Sequence, residues 1–277
     1  MSEHKIDVMW DDAPVDVSTE VNFIWSIANK LRGTYQSDKY KDVIIPMVII
    51  RRFECALEAT KQAVVEQYKK NPAYPAKAMC RVSGYQFFNT SEYTLAELVN
   101  DPDHLAANFR NYIEGFSANV QDIIKSLDFD KQIDKMDKNN RLLSVVKAFS
   151  ELDLDPKTID NVKMGYIFED LIRRFSENAE AGDHYTGRDI IKLMVNILLA
   201  EGCDDIFDDH KEITILDQAA GTGGMLSRLH ITSFTAITRL RMFVCLGRRS
   251  TLSPMLCAWL KCLSRGRMPR ISVCRTL

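Results

Sequence analysis

Apolar positions recur at helical spacing along most of the first 165 residues. In TEVNFIWSIANKLRG, Val21, Ile24, Trp25, Ala28 and Leu31 fall three and four residues apart, which places them on one face of an α-helix, and Gly33 stands where a left-handed cap would end it. The run from Tyr40 to about Lys70 predicts a second, longer helix with Pro46 near its first turns, where a missing N–H costs least. The stretch NPAYP, Asn71 to Pro75, stops it. Further on, SEYTLAELV, HLAANFRNYIEGF and RLLSVVKAF repeat the helical pattern between clusters of Asp, Pro, Gly and Asn.

The pattern changes after Pro156. TIDNVKMGYIFEDLIRRFSENAE is amphipathic, with Met164, Ile167, Phe168, Leu171 and Ile172 on one face and Gly182 as a stop. GDHYTGRDIIKLMVNILLAEG then predicts a loop and a helix whose apolar stripe is Ile190, Ile191, Met194, Ile197 and Leu198, with Thr186 as its cap and Asp189 three residues on, in the manner of a capping box. EITILD reads as a strand and runs into the glycine loop DQAAGTGGML, so the order of helix, strand, loop and helix points to α/β architecture.

A strand ending in an acid, followed by Ala-Gly-Thr-Gly-Gly and a helix start, lets backbone approach an adenosine-type cofactor at the carboxyl edge of a parallel sheet. Gly221, Gly223 and Gly224 remove side chains that would block the ligand, and Asp217 can receive the amino group of a methionine moiety through a charge-assisted contact. A plain strand-to-helix turn is the alternative that this loop alone leaves open.

Composition alters the picture at one end of the chain. The 277 residues are 46% hydrophobic, enough to bury a proper core, and no apolar run of membrane-spanning length interrupts them. The first dozen residues, MSEHKIDVMWDD, carry acids where a signal peptide would be basic and then apolar, so the expectation is a cytoplasmic protein without a membrane role. Seven cysteines with no zinc-type spacing read as reduced thiols, and no metal site is expected. The net charge of −2 conceals an asymmetry: Ser227 to Leu277 hold ten Lys or Arg and no Asp or Glu, which leaves 26 basic against 38 acidic residues before them. Those last 51 residues also lack Asn, Gln and Tyr yet hold Cys245, Cys257, Cys262 and Cys274, a composition unlike the Lys-rich arms that bind nucleic acid.

Four segments taken in order resemble the modification subunit of type I restriction-modification systems. They are NFIWSIANKLRGTYQSDKYKDVIIPMVIIRRFECALE, FSELDLDPKTIDNVKMGYIFEDLIRRFSE, GDHYTGRDIIKLM and ILDQAAGTGGML, spanning roughly residues 15 to 226. The resemblance implies a DNA adenine-N6 methyltransferase that uses S-adenosyl-L-methionine. It also implies work on DNA alongside a specificity subunit, a second modification subunit and a restriction subunit. The fold implied is a mainly α N-terminal domain, 1–165, followed by the start, 166–226, of an α/β Rossmann-like S-adenosylmethionine-dependent methyltransferase domain that is incomplete. Carried over by motif, the cofactor contacts fall on Asp183, His184, Tyr185, Thr186 and Arg188, and on Asp217, Ala219, Gly221, Thr222, Gly223 and Gly224. Gly187 and Gln218 stand where the family usually has proline, which loosens both loops entropically. His184 reads as a structural loop residue rather than a base, and Trp25 as core. The pairs Arg51–Arg52 and Arg173–Arg174 read as solvated helix faces, with contact to DNA phosphates as the alternative.

Such an enzyme needs an Asn-Pro-Pro-aromatic element to orient the flipped adenine and stack on it. That element is absent from all 277 residues, so no catalytic residue is assigned and the chain is expected to be inactive alone; the alternative is a non-catalytic assembly or DNA-binding fragment that engages the specificity subunit. The acid that would hold the cofactor ribose is missing too. Permitted codons for GRRSTLSPMLCAWLKC, read one base earlier, spell Gly-Gln-Glu-Ile-Asn-Pro-Glu-Ser-Tyr-Ala, which resembles the family's next signature and restores the acid. Residues 227–277 are therefore read as an out-of-frame, non-native basic tail, not expected to pack as a designed core.

Overall fold

A computed structural model of the chain describes residues 15–176, 186–198, 212–217, 225, 239–246 and 270–275. The described elements divide between two compact units, one holding ten helices and the other a helix and three strands. No described helix is long and apolar enough to cross a membrane.

The helical unit is organised around α2, Lys41–Leu57. Val43, Ile44, Ile45, Met47, Val48, Ile49, Ile50, Phe53 and Leu57 are all buried, so α2 is apolar nearly all round, as a central helix must be. Pro46 is accommodated inside α2. Before it, α1, Ser18–Ala28, tightens into a 3-10 turn, Asn29–Leu31, and Gly33 adopts φ 86° just beyond. The long helix expected from Tyr40 to Lys70 is two helices: a 3-10 turn at Glu58–Thr60 separates α2 from α3, Lys61–Lys70. No breaker residue marks the interruption. There the Thr60 hydroxyl lies 3.1 Å from the Ser83 carbonyl oxygen, a tertiary contact that a local pattern does not carry.

The helices α4, Ala76–Ser83, α5, Leu95–Leu98, α6, Leu105–Glu114, α7, Ala118–Ser126, α8, Phe129–Lys138, and α9, Leu142–Ser150, complete the middle of the unit. Gly84 at φ 73° ends α4, Asp128 at φ 52° separates α7 from α8, and Asn140 at φ 54° separates α8 from α9. The short α5 is held by a reciprocal cap, in which the Thr94 hydroxyl accepts from the Glu97 N–H while the Glu97 carboxylate accepts from the Thr94 N–H at 2.8 Å. At Gly115 the backbone is closed in: a Cβ there would meet Asn89 Oδ1 and Ser91 Cβ at 2.6 Å and Ser91 N at 2.7 Å.

The amphipathic helix α10, Asn161–Ser176, buries Met164, Ile167, Phe168, Leu171 and Phe175, and leaves Ile172 half-buried. It packs with the helical unit. Three contacts explain why: Lys163 Nζ pairs with Glu20 at 2.7 Å, Arg174 Nη1 donates to Asn22 Oδ1 at 3.1 Å, and the Phe175 ring lies 5.3 Å from Trp25. Trp25 is half-buried against that ring rather than sealed in the core.

The second unit contains α11, Arg188–Leu198, and a sheet of β1, Glu212–Asp217, β2, Arg239–Leu246, and β3, Arg270–Arg275. The strand order is β1-β2-β3 and both pairings are parallel, with Glu212 opposite Arg239 and Asp217 opposite Val244. Two of the three strands thus lie beyond Leu226, in the segment not expected to pack. Runs such as RLRMFVCL and RISVCR are rich in Val, Ile and Phe, and such a run extends an available strand edge whatever its origin.

Candidate functional site

The expected cofactor residues that fall among the described ones stand at the end of β1 and at the start of α11. β1 is Glu-Ile-Thr-Ile-Leu-Asp, and Asp217 is its last residue, half-buried at the carboxyl end of a parallel strand. In open parallel sheets that end is where ligands bind, because the turns leaving the strands form a crevice there. At the second element the helix begins one residue later than the motif suggested. Ile191 N donates to Gly187 O at 3.0 Å, so Gly187 occupies the cap position and Thr186, exposed, precedes it. The expected capping box on Thr186 and Asp189 is therefore displaced. Glycine tolerates a cap position with little loss, and a Cβ at Gly187 would find only Ile190 Cδ1, at 3.9 Å.

Of the other residues expected to touch cofactor, Arg188 is described as the first residue of α11 by its backbone alone. Asp183, His184, Tyr185, Ala219, Gly221, Thr222, Gly223 and Gly224 lie outside the described residues.

The apolar stripe of α11 is only partly core. Ile191 and Val195 are buried at 5% and 0% exposure, but Ile190, Leu193, Met194, Ile197 and Leu198 are 49–67% exposed. Two apolar faces are present on this helix, and the expected stripe mixed them.

The pair Arg51–Arg52 is an internal fastener rather than a solvated face, whereas Arg173, its side chain 40% exposed, stays on a partly solvated face. Arg52, only 1% exposed, donates from Nη1 to the carbonyls of Leu154 and Ile159 at 2.6 and 2.7 Å, and Arg51 donates from Nε to the Leu152 carbonyl at 2.7 Å. Together they pin the loop that leads into α10. Arg173 and Arg174 both donate to the Asp170 carboxylate, the latter at 2.8 Å. A helix-wheel reading places the Arg51 and Arg52 guanidinium groups outside because it does not contain the loop that comes back to meet them.

A polar cluster that carried no motif lies deep in the helical unit. Glu54 accepts from the Leu95 N–H at 2.9 Å and the Tyr112 hydroxyl at 2.7 Å, and pairs with Arg51. Burial, then the charge of Glu54, pushes the Tyr112 hydroxyl well above its ordinary range. Lys61 lies 5.4 Å from the centre of the Tyr112 ring, and desolvation lowers its ammonium to about 8. The partners are 41 and 58 residues apart in sequence, beyond the reach of any local spacing.

Comparison with known proteins agrees with the order of these elements. Residues 21–149 match the HsdM N-terminal domain and residues 159–243 match the N-6 DNA methylase domain, the second match running past Leu226 into β2. The type I restriction enzyme MjaVII methylase subunit of Methanocaldococcus jannaschii is 25% identical over 175 residues, 61% of this chain and 28% of that protein. The MjaIX methylase subunit of the same organism is 20% identical over 229 residues, 73% of this chain and 38% of that protein. The chain thus spans well under half the length of the curated relatives it matches. Among solved structures, the methyltransferase subunit of a type I restriction-modification system from Streptococcus thermophilus superposes with a TM-score of 0.66 at 16% identity, covering 92% of this chain and 57% of its own. With a helical domain and a methylase domain matched in succession along one polypeptide, the chain belongs to the family of type I restriction-modification methylase subunits.

Proposed function

We propose that the chain carries the helical domain and the opening of the cofactor domain of a subunit that transfers a methyl group to adenine N6 within a specific DNA sequence. The observation that carries this reading is the uninterrupted succession of the two family matches, 21–149 and 159–243. S-adenosyl-L-methionine would supply the methyl group. Asp217 would receive its amino group, Gly221, Gly223 and Gly224 would leave room for its close approach, and Asp183, His184, Tyr185, Thr186, Arg188, Ala219 and Thr222 would complete the cradle. One described feature supports this reading: Asp217 is a half-buried carboxylate at the carboxyl end of a parallel strand. The partners of the complete activity are DNA, a specificity subunit that reads it, a second modification subunit and a restriction subunit.

The same reading makes this chain inactive by itself, because no Asn-Pro-Pro-aromatic element exists within it to orient the adenine amino group. Tritium transfer from labelled cofactor to cognate DNA checks this: background counts are expected, and turnover by the purified chain would refute it. Labelled cofactor binding is the companion measurement, with Asp217→Asn expected to weaken binding at least tenfold through loss of a charge-assisted contact. A non-catalytic assembly role is favoured by the well-packed helical unit, and co-purification with a specificity subunit in the absence of cofactor would support it. The tail, 227–277, is proposed to be an out-of-frame reading. Sequencing the gene across codons 220 to 280 and beyond tests that: a downstream frame resuming Gly-Gln-Glu-Ile-Asn-Pro is expected, and an unbroken frame ending at Leu277 would reject it.

A further inference from the structure

The polar cluster of the helical unit borders a cavity of about 330 Å³, lined among others by Glu54, Glu58, Lys61, Asn89, Thr94 and Tyr112. Its volume falls at the lower end of the range for small-ligand pockets, about 300–1,000 Å³. Two acceptors in its wall, Glu54 and Asn89, are already committed, and a third, Glu58, is exposed. Glu54 is engaged by Arg51, the Leu95 N–H and Tyr112, while the Asn89 side chain, 2% exposed, donates to the Tyr112 carbonyl at 3.1 Å and accepts from the Ser91 N–H at 2.8 Å. Glu97, outside the wall but close enough for its charge to act on Lys61, is engaged by the N–H and hydroxyl of Thr94.

The donors are not committed to the same degree. Lys61 has three N–H groups, and its hydrogen bond in the cavity wall is a long one, 3.4 Å to Asn89 Oδ1. No carboxylate lies within ion-pair reach of its nitrogen among the described residues, and the Tyr112 ring beneath it supplies a quadrupole but no lone pair. A desolvated ammonium bordering a cavity calls for an anionic acceptor, since a buried cation is stable only when paired and hydrogen-bonded.

We propose that this cavity is a binding site for a small carboxylate, held by the Lys61 ammonium above the Tyr112 ring. Glu58 is exposed and lines the same cavity, so a second carboxylate on the ligand is repelled while a trailing ammonium is welcome. Monocarboxylates and amino acids therefore bind ahead of dicarboxylates. The charges of Glu54 and Glu97 act on Lys61, and the other titratable groups that line the cavity with it are Arg51, Cys55, Glu58 and Tyr112. Burial pushes the Cys55 thiol and the Tyr112 hydroxyl upward, so neither gains charge around neutral pH. Lys61, at about 8 without ligand, does change charge there, and a bound carboxylate favours its protonated form. Binding takes up a proton near pH 8 and weakens as pH rises beyond it.

The test is calorimetric titration of the full chain with acetate, alanine and succinate at pH 6.5 and 9.5. Saturable millimolar or tighter binding of acetate and alanine is expected at pH 6.5, with succinate weaker and every affinity at least tenfold lower at pH 9.5. Lys61→Met should abolish binding with its circular dichroism unchanged. Lys61→Arg keeps the charge at all these pH values and should retain binding at pH 9.5, which distinguishes a lost ligand contact from a lost fold. Absence of saturable binding by all three probes at pH 6.5, equal binding by Lys61→Met, or affinity independent of pH in the unaltered chain would each overturn the proposal.

Discussion

The two compact units treat charge and carbon in opposite ways. In the helical unit α2 encloses a guanidinium, Arg52 at 1% exposure, and two loop carbonyls accept from its Nη1. In the other unit α11 turns Ile190, Leu193, Met194, Ile197 and Leu198 outward at 49–67% exposure. A buried cation is tolerated only where the surrounding backbone is fixed closely enough to hold every acceptor in place. Apolar side chains left in water contribute little to the packing of their own element. The helical unit is therefore the part in which a single substitution should be felt most, and the α11 unit the part in which it should be felt least.

Arg52 is the largest expected effect. Arg52→Ala leaves the carbonyls of Leu154 and Ile159 without their buried donor and opens a void beside α2; a loss of about 3–5 kcal/mol in urea unfolding is expected. A loss below about 1 kcal/mol would mean that the loop holds itself and that the comparison between the units is overstated.

Gly115 comes next. A Cβ there would lie 2.6 Å from Asn89 Oδ1 and 2.7 Å from the Ser91 backbone nitrogen, so Gly115→Ala forces main chain to move and should cost about 1–3 kcal/mol. Because Asn89 also bonds the Tyr112 carbonyl, amide exchange in α6 should quicken along with the fall in stability. An unchanged unfolding midpoint would show that the loop from Asn89 to Ser91 yields freely.

How much of this was legible follows the range of the physics. Gly33, the amphipathic face of α10 and the strand Glu212–Asp217 are local in cause, set by periodicity or by one residue's dihedral freedom, and the structure carries all three. The helices α4, α7 and α8 were not anticipated as separate elements. The residues that divide α7, α8 and α9, Asp128 and Asn140, enter the left-handed region as non-glycines, which composition marks only weakly. The break at Glu58–Thr60, the inward course of Arg51 and Arg52, and the Glu54–Tyr112 pair rest on partners 23 to 107 residues away. At the candidate cofactor edge, Asp217 ends β1 as its motif implied, while the cap assigned to Thr186 moved to Gly187 because motif spacing fixes a helix start only to within a residue or so.

Gly187 supplies the counterpart to Gly115. Its Cβ position is open, the nearest atom being Ile190 Cδ1 at 3.9 Å, and it stands at the cap of α11. Gly187→Ser gives that position a side-chain acceptor for the first turn and narrows the unfolded ensemble. A gain of about 0.5–1 kcal/mol is expected in the stability of the α11 unit, read by hydrogen exchange of the α11 amides. Slower exchange confined to α11 would sharpen the contrast with Gly115, and faster exchange would mean that glycine is required there.

The smallest effect is expected where the chemistry looks most severe. Ile197 is 67% exposed on α11, so Ile197→Lys removes almost no packing, and its stem can lie along the neighbouring surface of Leu193 and Met194 while the ammonium stays in water. Stability should stay within about 0.5 kcal/mol, the range of surface substitutions without a buried partner. Light scattering should show less self-association, because a charge now interrupts a run of exposed apolar side chains. A fall of more than about 2 kcal/mol would reverse the reading of this helix: Ile197 would then be core, both faces of α11 would be covered in solution, and the difference between the two units would lie in their charge alone.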